Sequence, residues 1–296
     1  MTLFPNYYMD KLIMKNLLIF IVVFLVACQP LQHDDTELLK EAVLTASDFS
    51  PKTINIVSDT DVEWTPLNPA RGDKSPKAGT LWGDRAAAGA TGFLVEFVDG
   101  FSSPPHIHNV SYRGVVISGL VHNDDPKAEN LWLPAGSFWT QPAGEAHITA
   151  AKGQQNIAYI EIDSGPYLVR PAAQAFDNGE RPVNVDKSNL VWLNAKDINW
   201  TNQSNGVEIA FLWGNSSNNA LGGTFVKLPA GFSGSIDSSA TEFRAVVIQG
   251  QVKLNDSTLN PGSYFGALEP SKYPLSVNNE AVIYIRSNDK FSIVVD

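Results

Sequence analysis

Apolar residues in this chain gather in short runs that alternate with polar ones, and past the N-terminus only one stretch repeats at helical spacing. Gly92-Phe93-Leu94-Val95-Glu96-Phe97, Tyr112 to Ile117, Ala158-Tyr159-Ile160-Glu161-Ile162 and Ala281-Val282-Ile283-Tyr284-Ile285 are rich in β-branched and aromatic side chains and bounded by Gly, Pro, Asn or Ser. Such side chains fit a pleated, half-buried surface, so each run predicts a strand. Thr36 to Ala46 is the exception, with Leu38, Leu39, Ala42 and Val43 on one face of a predicted helix. From Pro166 to Asn189 the pattern lapses into an Asp177-Asn178-Gly179 turn and further prolines, which predicts a connector over 166–189.

The strand pattern occurs twice. Adding 131 to the residue number carries Leu81-Trp82-Gly83-Asp84 onto Leu212-Trp213-Gly214-Asn215, Gly100 onto Gly231 and Gly119 onto Gly250. Two similar β domains follow, and 296 residues with 44% hydrophobic content are enough for each to bury a core. Residues kept in both copies, among them Trp82, Gly83, Val115, Val116 and Arg113 (matched by Arg244), are read as scaffold.

At the N-terminus Lys11 and Lys15 precede an apolar run from Leu17 to Val26 that ends in Leu25-Val26-Ala27-Cys28. That tetrapeptide resembles a bacterial lipobox, and the run is shorter than the roughly twenty residues a spanning helix needs. Residues 1–27 are therefore expected to be a lipoprotein signal peptide, with Cys28 lipidated and 28–50 a tether; Met1 and Met14 both remain candidate starts. Cys28 is the single cysteine, so lipidation leaves no disulfide within the chain. Gln29 after it points, by analogy with lipoprotein sorting, to the outer membrane of a two-membrane cell envelope.

Charge narrows the partners. Loss of Asp10, Lys11 and Lys15 with the signal, together +1, takes the formal charge from −10 to −11. An acidic chain with no basic stripe lacks the footprint of nucleic-acid binding and approaches a membrane through its lipid anchor alone. The sequence carries no P-loop, dinucleotide fingerprint, Gly-x-Ser-x-Gly elbow or Cys-x-x-Cys pair.

The candidate chemistry lies in three histidines. His106 and His108 stand two apart in a predicted strand, so both imidazoles leave the same face. One frame runs from Gly100 through five residues to His106-Ile107-His108 and closes at Gly119. A second runs from Gly136 through five residues to Pro142-Ala143-Gly144 and, two residues on, His147. Neutral imidazoles of this number suit a divalent ion, whether zinc, iron, manganese or nickel, and leave positions open for water or substrate.

Both spacings resemble the paired motifs of the cupin superfamily, and the body from Pro51 to Asp296 is similar to the ChrR-like cupin group. The resemblance implies an all-β protein of two tandem cupin barrels, each a double-stranded β-helix or jelly roll: a metal-binding barrel over 51–165 and a degenerate one over 190–296. In the superfamily a glutamate usually follows the second histidine by four positions, where this chain has Tyr112. The expected centre is therefore His106, His108 and His147, either alone or completed by Glu96, Glu145 or His122. Tyr112 faces inward as an acid/base group or as a packed phenol. Phe101, Phe138 and Trp139 are candidate pocket walls, although alternation puts only some of them inside and core packing is the role expected of each.

In the second copy the ligand positions fall on Asp237 and Ser239, with Phe243 for Tyr112 and Tyr273 near the place of His147, so that barrel is expected to have lost its metal. The function expected is that of an envelope lipoprotein acting on a small molecule through a three-histidine site, as a dioxygenase, isomerase or lyase. The alternative is a two-barrel protein that binds or senses a metal or ligand without turnover. A homodimer is open by analogy with cupins that pair through their sheets.

Overall fold

Strand follows strand from Asn55 to Val295 in the computed structural model, which describes residues 53–201, 206–217 and 219–296. The expected signal peptide, Cys28, the tether and the helix over Thr36 to Ala46 lie outside the described residues. Among the described residues no helix is long and apolar enough to cross a membrane.

Two large antiparallel sheets dominate. The first runs in the spatial order Val183–Val185, Phe138–Gln141, Tyr112–Asp124, Ile148–Ile162, Thr91–Phe97, Lys77–Trp82 and Trp64–Pro66. The second runs Asn55–Val57, Tyr264–Ala267, Phe243–Gln249, Ala281–Ser287, Ala220–Leu228, Glu208–Ser217 and Leu193–Asn194. A smaller sheet closes each barrel: His106–His108 pairs with Val169–Pro171 in the first, and five strands including Ser233–Ser238 and Ser271–Ser276 serve the second.

Alternation along each strand sends side chains to two different cores. On Thr91–Phe97, Phe93, Val95 and Phe97 enter the first barrel, together with Val116, Ala158 and Ile160 from its neighbours. Leu94, Val115, Ile117 and Tyr159 point the other way and meet Phe225, Val246, Ile248 and Tyr284 of the second large sheet. The two barrels thus pack sheet on sheet over a shared apolar layer, and residues 51–296 form one unit.

That layer holds buried charge. Glu161 and Arg286, each 1% exposed, approach to 3.4 Å, and Arg286 also reaches Asp163 at 2.6 Å and Glu242 at 2.9 Å. Trp82 donates to the Tyr159 hydroxyl at 3.1 Å, and its repeat counterpart Trp213 donates to Tyr284 at 2.9 Å. The Arg113 guanidinium lies 3.5 Å over the Trp213 ring and that of Arg244 4.5 Å over Trp82. Arg113 and Arg244 therefore face the junction between barrels, in keeping with a scaffold role.

The boundaries expected from sequence change in two places. Asn55–Val57, assigned to the first barrel, extends the sheet of the second through Tyr264–Gly266. The connector over 166–189 belongs to the first barrel, because Val169–Pro171 pairs with the histidine strand and Val183–Val185 pairs with Phe138–Thr140. The short turns after the two exchanged strands are tied alike: the Asp59 amide donates to Ser263 Oγ at 2.9 Å and the Lys187 amide to Ser137 Oγ at 3.1 Å. Each barrel is completed by the strand that precedes the other repeat, which gives the exposed sheet edge its hydrogen-bond partner.

Candidate metal centre

The His106–His108 strand is short because Pro104 and Pro105 before it offer no amide to a ladder. His106 pairs with His147 across an isolated antiparallel bridge, N to O at 3.0 Å in both directions. His108 is two residues further on the same face, and ligand nitrogens of all three lie within 4.8 Å of one another. Among the described residues this is the one such group. The side chains are 9, 3 and 1% exposed for His106, His108 and His147.

Each ring is oriented by a main-chain carbonyl. Nδ1 of His106 stands 2.9 Å from Pro104 O, that of His108 3.2 Å from Leu168 O and that of His147 3.1 Å from Glu145 O. Donation from Nδ1 leaves each Nε2 with its lone pair free, the tautomer a metal requires, and fixes where it points. Burial lowers the pKa of all three. For His108, set well below its ordinary value, mutual repulsion from His147 and His106 adds to burial, and for His147 burial and then His106 bring it to about 3. Three rings held neutral, with fixed tautomers and nitrogens within 4.8 Å of one another, fit a divalent cation.

None of the candidates for a further ligand joins them. Glu96 lies 3.7 Å from Lys77 on the outside, His122 turns Nδ1 toward Leu131 O at 3.3 Å and its ring toward Trp132, and Glu145 contributes its carbonyl to orient His147 while its carboxyl lines a separate surface pocket. Tyr112 does point inward. Its hydroxyl donates to Asn123 Oδ1 at 2.9 Å and lies 3.4 Å from His147 Nε2, and Asn123 is held in turn by Gln141 and Thr149 at 2.8 Å each. Burial holds the Tyr112 phenol above its ordinary pKa, so it stays protonated and acts as a donor.

The sequence reading missed Tyr167, in the segment taken for a connector. Its hydroxyl lies 3.1 Å from His108 Nε2, and its ring stacks on that imidazole at 4.3 Å between centroids. No spacing rule links residues 59 positions apart, and the only hint was an aromatic between prolines among turn residues.

A cavity of about 760 Å³ opens onto the centre. Of the three aromatics, Phe101 and Trp139 line it and Phe138 turns to the layer between barrels. Among the described residues no aspartate or glutamate lines this cavity, and the one guanidinium that does is Arg71, 5.3 Å over the Phe101 ring.

The second barrel corrects one expectation. Asp237 pairs outward with Lys272 at 3.7 Å and Ser239 is exposed; the inward positions are Ile236 and Ser238. Ile236 lies opposite Tyr273, as His106 lies opposite His147. A single offset of 131 fails here because Ser233–Ser238 is a continuous strand, whereas Ser103-Pro104-Pro105 interrupts the first copy. Phe243 stacks on Tyr273 at 4.5 Å beside Phe265 and Phe291, filling the space where the first barrel has its histidines.

Comparison with known proteins places this geometry. The family model described as Domain of unknown function (DUF4437) matches residues 55–294. A search of curated proteins returns no match. A candidate dioxygenase from Nostoc punctiforme is similar in structure at a TM-score of 0.62 and 16% identity, over 81% of this chain and 84% of its own. Salicylate 1,2-dioxygenase from Pseudoaminobacter salicylatoxidans, solved with gentisate, gives 0.53 at 14% identity over 88% and 92%. Oxalate decarboxylase from Lactobacillus farciminis, solved with formate, gives 0.53 at 10% identity over 81% and 88%. At these identities the likeness carries the fold, that of paired cupin barrels.

Proposed function

Since the chain belongs to the DUF4437 family and folds as a two-barrel cupin, we propose that it is a metal-dependent enzyme acting on a small molecule in the first barrel, of dioxygenase, isomerase or lyase type. The observation that carries this reading is the cluster of three imidazoles, each fixed through its own Nδ1, two of which, His106 and His108, line a cavity large enough for a metabolite. His106, His108 and His147 would hold the ion, whose chemistry when bound is Lewis acidity toward a substrate oxygen or, with a redox metal, oxygen activation. Tyr112 enters as a hydrogen-bond donor kept in place by Asn123. Phe97, Phe101 and Trp139 exclude water along one wall, and Arg71, the one charged side chain among the described lining residues, favours an anionic substrate.

The cavity favours a site for a small molecule over a purely structural or metal-sensing one, because such a site has no need of a space this size beside the ion. We further propose the envelope location from Leu25-Val26-Ala27-Cys28, with a lipid on Cys28. The similarity to the ChrR-like group rests on the histidine spacing, and only the histidine positions are carried over from it.

Elemental mass spectrometry of the protein purified without added metal, beside a His106→Ala/His108→Ala variant, tests the centre. One iron, manganese, nickel or zinc per chain is expected, falling to near zero in the variant. Equal, near-zero metal in both after reconstitution would sink the reading. With the metal known, Arg71→Ala is expected to raise KM for anionic substrates about tenfold or more, with little change in kcat.

A further inference from the structure

Tyr167 stands at the centre by an unusual route. The chain leaves the last long strand of the first barrel at Ile162 and is then fastened back across the histidine strand. The Tyr167 amide donates to Arg85 O at 2.9 Å; the Asn109 side chain donates to Pro166 O at 2.9 Å and accepts from the Leu168 amide at 2.8 Å. Phe93 backs the Tyr167 ring edge-on at 5.2 Å. The same segment gives His108 its orienting carbonyl, Leu168 O, so phenol and imidazole are set by one piece of backbone.

The phenol does not block the site. With the two ring planes only 18° apart and their centroids 4.3 Å apart, the Tyr167 oxygen stands over the edge of the imidazole beside Nε2, out of the ring plane. The lone pair of Nε2 lies in that plane, clear of the phenol, and ligand nitrogens of the other two histidines lie within 4.8 Å. Two donor atoms side by side on one ion, with bonds of about 2.0–2.1 Å, are roughly 3 Å apart; Tyr167 Oη and His108 Nε2 are 3.1 Å apart. That contact is also the one polar partner of the Tyr167 hydroxyl among the described residues, and it is lost once an ion takes the nitrogen. Tyr112 differs, since its hydroxyl is committed to Asn123 and stands further from its histidine.

We propose that Tyr167 is the fourth protein ligand of the centre, binding the ion as a phenolate and supplying the anionic oxygen that the histidine strand's own frame lacks at Tyr112. This rests on the three-histidine metal reading. When the ion binds, the phenol O–H bond breaks, its proton leaves to water in the cavity, and an oxygen–metal bond forms without change of oxidation state. The ligand set is then three neutral imidazoles and one anion, with positions still open toward the cavity.

The test uses the full chain, stripped of metal and loaded with one equivalent of ferric iron. A ferric phenolate gives a visible charge-transfer band and phenolate ring modes in resonance Raman, and neither is given by imidazole ligands. Wild type and Tyr112→Phe are expected to show both, and Tyr167→Phe neither, while elemental analysis still reads one iron per chain. Iron bound in the wild type without phenolate modes, or a band that survives in Tyr167→Phe, overturns the assignment and leaves the three-histidine site standing. Failure of the wild type to bind iron or any divalent ion overturns both. The Raman spectrum of the wild type decides independently of whether Tyr167→Phe folds.

Discussion

His147 is the most constrained side chain of the centre, 1% exposed, bridged to His106 through backbone and oriented by Glu145 O. Its pKa falls from 6.5 to about 3, first through burial and then through His106. The unfolded chain therefore takes up a proton below about pH 6.5 that the folded chain refuses. Stability is full above the unfolded value and is lost as pH falls toward the folded one, at about 1.4 kcal/mol per pH unit for this group. In metal-free protein the drop from about pH 7 to about pH 5 should cost roughly 2 kcal/mol through His147 alone, read from urea unfolding at the two pH values. A His147→Gln variant should lose that part of the pH dependence; an unchanged slope would mean that the ring is charged in the folded state. The histidine pattern itself was legible in sequence, since His106-Ile107-His108 needs only strand geometry. That Nδ1 of each ring meets a carbonyl was not legible, because two of those carbonyls come from turns and one from a residue 60 positions away.

At the scale of elements, the segment from Pro166 to Pro171 decides the site. Turn residues and prolines made it look like a connector, and its composition is indeed that of a loop. Its three-residue pairing with the histidine strand depends on tertiary position, which no local pattern carries. Asn109 clamps it from the adjoining position, so Asn109→Ala should let Leu168 O drift from His108 Nδ1. We expect metal affinity to fall about tenfold with the far-ultraviolet circular dichroism unchanged, measured by competition with a chelator; unaltered affinity would show that His108 needs no such support. The exchanged strands Asn55–Val57 and Val183–Val185 make the same point, because each is too short to choose a partner and takes the sheet edge left open by the other repeat.

Across the whole molecule the two repeats are bound by a layer in which matching positions make matching contacts: Arg113 lies over Trp213 as Arg244 lies over Trp82, and Tyr159 meets Tyr284. Arg286 ties Glu161, Asp163 and Glu242 together there, and those carboxylates hold its guanidinium pKa above the ordinary value despite burial. Arg286→Met would leave Glu161 with Arg113 at 3.7 Å as its remaining ion-pair partner. Removing one member of a buried pair costs about 3–5 kcal/mol, so a loss of that size is expected in urea unfolding, with a Glu161→Gln/Arg286→Met double variant recovering part of it. Because strands are exchanged and the layer is shared, circular dichroism and tryptophan fluorescence should report one coincident transition for residues 51–296. Two separated transitions would mean that the barrels are stable independently.

The sequence by itself determined the class of structure, the twofold repeat and three of the side chains at the centre. Each of these follows from short-range rules, namely strand alternation, turn chemistry and the same-face spacing of His106 and His108. The repeat also separated Arg113 from the histidines, since Arg244 preserves it in a barrel whose inward positions are Ile236, Ser238 and Tyr273. Tertiary structure alone decided that Tyr167 reaches His108, that Glu96, Glu145 and His122 do not, and that each barrel borrows a strand. The physical reason is that sequence spacing specifies which face a residue takes on its own element, whereas ligand sets and sheet edges depend on which distant elements pack together to satisfy buried donors and apolar area.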